Sequence, residues 1–226
     1  MAVPKREIVA DFSHRESNTS IVSISKPLRR KTPLQVPAPK PTSSPQSTSP
    51  FVRKCLHIIG GIEPHAARAV DAPSGYGRHA SLLAEHGYDV IAMDTDEWAL
   101  RYIREVRLSE NDKIACVVAD CSADIPLAPD TIFIAVVVHF ISPALLQVLS
   151  RVIRTGGYLI YETYGGNGDN YVMLPRPGEI AAELHARFEL IYYKEKEVGP
   201  KKEAATVKCL AKRVAVPLPN LYTACR

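Results

Sequence analysis

"AVDAPSGYGRHA", residues 69–80, runs a short apolar strand into an acid, a proline and two glycines, and then into the start of a helix. Gly75, Gly77 and Ala80 satisfy G-x-G-x-x-[GA], and Asp94 follows Gly75 by 19 residues at the end of the next strand, the spacing of a dinucleotide site. In a nicotinamide site, however, the first glycine follows the strand almost directly, because the pyrophosphate sits on backbone N–H groups at the helix start. Here Ala72, Pro73 and Ser74 separate Asp71 from Gly75. The Asp71 carboxylate would repel a phosphate across a low-dielectric pocket and attract a cation. The turn therefore points to an adenosine ligand with a positive centre.

Outward from this turn, apolar runs read as strands at 68–72, 88–94, 113–119, 131–138 and 157–163, and most are continuous, as buried parallel strands are. Helical patterns fall between them at 77–86, 96–108 and 142–154, whereas 121–130 is too short and too rich in Pro and Asp. "FVRKCLHII", from Phe51, has helical spacing with Phe51, Cys55, Ile58 and Ile59 on one face, and a further helix is expected near 178–186, opened by Pro177. "RFELIYYKEKEVG" and "EAATVKCLAKRVAV" lie too close together for a crossover helix, so they predict an antiparallel hairpin. The fold class is α/β: a Rossmann-like doubly wound sheet, mostly parallel, with a C-terminal antiparallel hairpin.

The first 50 residues differ in kind. They carry eight Lys or Arg against three Asp or Glu, a charge of +5, which leaves 20 against 21, or −1, for residues 51–226, so the basic excess belongs to this segment. Residues 26–50 hold seven prolines and almost no large apolar side chain, and so cannot offset the entropy of ordering. The expected organisation is a disordered, basic, Pro/Ser-rich tail over 1–50 and one domain over 51–226. No apolar run approaches a membrane span and residues 1–20 lack the apolar stretch of a secretory signal, so a soluble, cytoplasmic protein is expected. The five cysteines include no C-x-x-C pair, and buried reduced thiols in a cytoplasmic protein are expected, with no metal site and no membrane.

The chain resembles the class I S-adenosylmethionine-dependent methyltransferases: "VDAPSGYG" stands where that family has D/E-x-G-x-G-x-G, and "RTGGYLIYET" stands at its fifth strand. Within the family, "SGYGRHASLLAEHGYDVIAMD" and "YET" are most similar to the small tellurite-resistance type, whose members act on small molecules. The resemblance implies S-adenosylmethionine as cofactor. It gives Asp71, Ala72, Pro73, Ser74, Gly75 and Gly77 the methionine end, Asp94 with Thr95 the ribose, and Asp120 with Cys121 the adenine edge. Pro73 replaces the first family glycine, and a strand end already has the extended geometry proline asks of Ala72. Trp98 is placed to cover the adenine face.

Methyl transfer from a sulfonium is an in-line displacement, so positioning alone supplies much of the acceleration. A hydroxyl or amine acceptor gains from a base, for which His139 at the end of the fourth strand is the candidate, or else a residue that caps the strand. Glu162 and Tyr164 end the fifth strand, with Asn167 and Asn170 in the loop beyond, and they are candidates to orient a small-molecule acceptor. Arg78 and His79 sit at a helix start that disfavours cations, so one of them is expected to have a carboxylate partner or an anionic substrate. Two rivals stand beside this reading: a regulatory module that binds the cofactor without catalysis, and a methyltransferase aimed at nucleic acid. The second is disfavoured because "HFISP" replaces an Asn-Pro-Pro-aromatic motif after the fourth strand.

Overall fold

The computed structural model describes residues 47–60, 67–107, 113–123, 125–163 and 172–215. Residues 1–46, which hold most of the expected tail, lie outside that set. Ser49 and Pro50 do not belong to a tail: Ser49 Oγ accepts the backbone N–H groups of Phe51 (3.1 Å) and Val52 (3.4 Å), and Pro50 opens α1, Pro50–Ile59. Serine at the cap and proline at the first position satisfy a helix start that otherwise leaves donors unpaired. The buried face of α1 is Phe51, Val52, Cys55 and Leu56, not the stripe expected through Ile58, which is exposed.

The chain divides into two compact units, residues 1–126 and 127–226. In the first, β1 (Arg68–Asp71), β2 (Asp89–Asp94) and β3 (Ile114–Val118) are parallel, with β2 in the middle. The register sets Asp71 beside Ala92 and Asp94 beside Val118, so each carboxylate leaves its strand at the carboxyl end. Helix α2 (Arg78–Glu85) follows β1 and α3 (Glu97–Tyr102) follows β2. The single helix expected over 96–108 is broken: from Ile103 to Arg107 it widens into a π-helical turn. A π turn shifts the side-chain phase, and it delivers Ile103, fully buried, to the backbone of Gly77.

In the second unit, all seven residues of β4 (Ile132–Val138) are buried, which is why its sequence shows no alternation. Helix α4 (Pro143–Val152) is capped by Ser142, whose hydroxyl accepts from Leu145 N–H at 3.2 Å. It runs directly into β5 (Ile153–Glu162), which is parallel to β4 and starts before the expected position 157. Helix α5 (Glu179–His185) starts after Gly178, whose N–H meets both Glu195 carboxylate oxygens at 3.1 Å. The hairpin β6 (Phe188–Val198) and β7 (Ala204–Arg213) is antiparallel as expected, and β7 lies between β5 and β6. Among the described residues no helix is long and apolar enough to cross a membrane.

Gly77 has φ +74°, and a Cβ there would stand 2.5 Å from Cγ1 of Ile103, while a Cβ on Gly75 (φ +50°) would meet nothing within 4 Å. Gly77→Ala should therefore destabilise the protein by about 2–3 kcal/mol and Gly75→Ala by only about 1, left-handed strain being common to both. Urea denaturation of the two variants measures the difference, and equal losses would remove Ile103 from the account.

Candidate functional site

The turn after β1 is held by three backbone bonds to neighbouring elements. Asp71, only 1% exposed, accepts Ala80 N–H on Oδ2 at 2.9 Å, which fixes the start of α2. Ser74 N–H donates to Met93 C=O at 2.7 Å, and Gly75 N–H donates to Asp94 Oδ2 at 2.7 Å. Ala72 is buried, the Ala72–Pro73 peptide is cis, and the donor that Pro73 lacks is supplied one residue later by Ser74.

Asp94 also accepts Asp96 N–H on Oδ1 at 2.9 Å, and Asp96 in turn caps α3 through the N–H groups of Trp98 (2.9 Å) and Ala99 (3.2 Å). One carboxylate thus joins the glycine turn to the entry of the next helix. Thr95 is exposed beside it. Trp98 is 56% exposed, so it is not a core aromatic; the Arg101 guanidinium lies over its ring at 5.0 Å. At the end of β3, exposed Asp120 accepts the Ser122 hydroxyl at 2.6 Å and the Ser122 N–H at 2.8 Å, and these bonds hold its carboxyl below the usual range. Cys121 is buried, and burial, with the fields of Asp94, Asp120 and Asp71, pushes its thiol up to about 12.

Asp71, which the resemblance gives to the methionine end of the cofactor, is buried. Its Oδ1 has no hydrogen-bond partner, and burial raises its pKa well above the usual range, against the lowering effects of Ala80 N–H and Arg78 and with a further push from Asp94. Arg78 donates from Nη1 to the Ser47 carbonyl at 3.4 Å. His79 plays a different part, because it is buried and its Nε2 accepts Ser49 N–H at 3.2 Å, which ties α1 to α2. Gly77, expected to approach a ligand, packs against Ile103.

In the second unit His139 is exposed just past β4, with φ +63° and its N–H donating to Glu162 C=O at 2.8 Å. A left-handed conformation is uncommon for a histidine, and this bond helps to hold it. Glu162 is buried and paired with Lys208 Nζ at 2.9 Å. Its carboxylate is therefore engaged by Lys208. Tyr164, Asn167 and Asn170 lie outside the described residues. Lys208 and Ser122 were missed: Lys208 faces Glu162 only through the β5–β7 register, whereas Asp120-x-Ser122 is a local pattern that sequence could have shown. Among the described residues no group of His, Cys, Asp or Glu is arranged to hold a metal ion.

Parallel strands ending in carboxylates beside a glycine turn define a class of α/β proteins that bind nucleoside ligands at the carboxyl edge. Residues 70–161 match the family model described as methyltransferase domain. No curated protein matches the chain. Among solved structures it is similar to an S-adenosylmethionine-dependent methyltransferase from Methanosarcina mazei, at 18% identity and TM-score 0.55, over 74% of this chain and 99% of that one. A geranyl diphosphate methyltransferase in complex with S-adenosylmethionine matches at 16% and 0.56, over 72% and 84%. TehB from Haemophilus influenzae matches at 20% and 0.54, over 72% and 61%. At these identities the likeness is one of fold, and the fold is the Rossmann-like one with the antiparallel C-terminal hairpin. S-adenosylmethionine is the cofactor of this class, and the residues present fit it: carboxylates for ribose hydroxyls and adenine amine, an unpaired buried oxygen on Asp71, and open space over Gly75.

The raised Asp71 pKa has a definite sign. Folded Asp71 holds its proton to higher pH than the unfolded chain does, so its contribution is complete below about pH 4 and is lost as pH rises through the folded pKa. Asp71→Asn removes that loss and can keep the bond from Ala80 N–H. Thermal melts should show the variant gaining on the parent as pH rises from about 4 to 8. A constant gap across pH would show that Asp71 is ionised at all these pH values.

Proposed function

We propose that the chain transfers a methyl group from S-adenosylmethionine to a small-molecule acceptor. The observation that carries this reading is the pair of carboxylates at the ends of β2 and β3, Asp94 and Asp120, an edge suited to a cation and hostile to a pyrophosphate. Bound there, the cofactor supplies a methyl group activated on a sulfonium. Asp94 would accept the ribose hydroxyls, keeping its two backbone donors. Asp120, already ionised by Ser122, would accept the adenine amine beside Cys121, and Trp98 would cover the ring. The 71–77 turn, with Gly75 as its open side, would seat the methionine end.

On the acceptor side His139 is the proposed base, on the strength of its strand-end position and its fixed backbone. Glu162, held by Lys208, and Tyr164 are the proposed groups that orient the acceptor. A small acceptor agrees with the geranyl diphosphate methyltransferase and TehB among the structural neighbours. The thiols of Cys55, Cys116, Cys121 and Cys209 are buried and reduced, which supports a reducing, cytoplasmic setting. We take the methyltransferase domain to include the Ser49 cap, with the tail ending before it.

Calorimetric titration with S-adenosylmethionine, followed by a screen for S-adenosylhomocysteine across small acceptors, tests the whole reading; no heat of binding and no product would overturn it. Asp94→Ala should weaken cofactor binding by about 1.5–3 kcal/mol, the worth of hydrogen bonds to a charged group. An unchanged dissociation constant would remove Asp94 from the ribose. His139→Ala should lower turnover by roughly 10² to 10⁴ with cofactor affinity retained. Normal turnover would end its candidacy as base.

A further inference from the structure

The first described residues lie at the cofactor turn. Arg78, one residue past Gly77, donates from Nη1 to Ser47 C=O at 3.4 Å, and His79 accepts the N–H of Ser49 at 3.2 Å. Whatever precedes Ser47 is therefore tethered at the first turn of α2, beside the strand-end carboxylates. The sequence of that segment complements the edge. Between positions 26 and 46 stand Lys26, Arg29, Arg30, Lys31 and Lys40, with no acidic residue. The edge carries Asp94, with Asp96, Glu97 and Asp120 exposed around it.

A second feature lies at the same edge: Asp71, at the end of β1, is buried with Oδ1 unpartnered. Lys31 precedes Ser47 by 16 residues, a reach of roughly 50 Å at about 3.1 Å per residue in a proline-rich path. Tethering at that distance gives an effective concentration on the order of millimolar, so even weak charge pairing is populated.

We infer that the basic stretch of residues 26–46 docks on the acidic strand ends of its own chain, where it displaces the cationic cofactor. The docking rests on the edge described above, and the displacement rests also on the proposed cofactor site. The segment is an internal competitor: at low ionic strength it lowers the apparent affinity for S-adenosylmethionine, and salt relieves it.

The test uses the full chain with Arg29→Glu, Arg30→Glu and Lys31→Glu. At low salt this variant should bind S-adenosylmethionine about 5- to 20-fold more tightly than the parent, and the gap should close near about 0.5 M salt. A labelled peptide of residues 26–46 added to the variant should bind, dissociate on addition of S-adenosylmethionine, and lose affinity when Asp96→Asn, Glu97→Gln and Asp120→Asn are introduced. Equal cofactor affinities with no peptide binding would overturn the inference. So would a variant that loses only salt-dependent affinity for an RNA oligonucleotide, which would assign the segment to nucleic acid. Peptide binding with no cofactor binding by either protein would uphold the docking and overturn the cofactor reading of the edge.

Discussion

The Asp94 carboxylate is the point on which the first unit depends. It takes Gly75 N–H on one oxygen and Asp96 N–H on the other, so the glycine turn and the entry to α3 are both referred to the end of β2. Hydrogen bonds to an ionised acceptor are about twice as strong as neutral ones. Their effect spreads along the chain, because Asp96 caps α3 and α3 widens into the π turn that carries Ile103 to Gly77. A residue assigned by sequence to a ligand is thus also the residue that shapes the pocket, and its two roles share one carboxylate.

Sequence made the strand positions legible because buried parallel strands leave long apolar runs, and β4 is the plainest of them. The glycine turn and its following helix were legible for the same local reason. What was not legible depended on contacts between distant residues. The burial of Asp71 follows from Ala80 and the strands around it; the Glu162–Lys208 pair follows from an antiparallel register. The outward turn of Ile58 and the break at Ile103 show a third limit: apolar spacing predicts a stripe, but packing decides where the stripe stops. His79 looked like an unfavourable cation at a helix start, yet as an acceptor for Ser49 N–H it is neutral at that nitrogen.

The two proposed groups of site residues are built differently. In the first unit the polar atoms are backbone donors and short carboxylates, held by bonds within a few residues of strand ends. In the second, Glu162 depends on Lys208 and His139 on the Glu162 carbonyl, so the geometry there rests on sheet pairing rather than on a turn. The nearby Thr163 follows the same rule, since its hydroxyl accepts Val207 N–H at 2.7 Å.

That dependence has a consequence for how the chain is made. Thr163 and Val207 are 44 residues apart, and β7 must enter between β5 and β6. During synthesis the outer side of β5 stays unpaired until that later segment emerges, an open edge of the kind that recruits other chains. β6, which ends as the outer strand, carries Lys194, Glu195, Lys196 and Glu197 in succession, a run of charge that discourages a foreign strand from pairing with it. The nascent protein is therefore most exposed to aggregation while β5 is complete and β7 is not, and charge guards the edge only once the hairpin has closed.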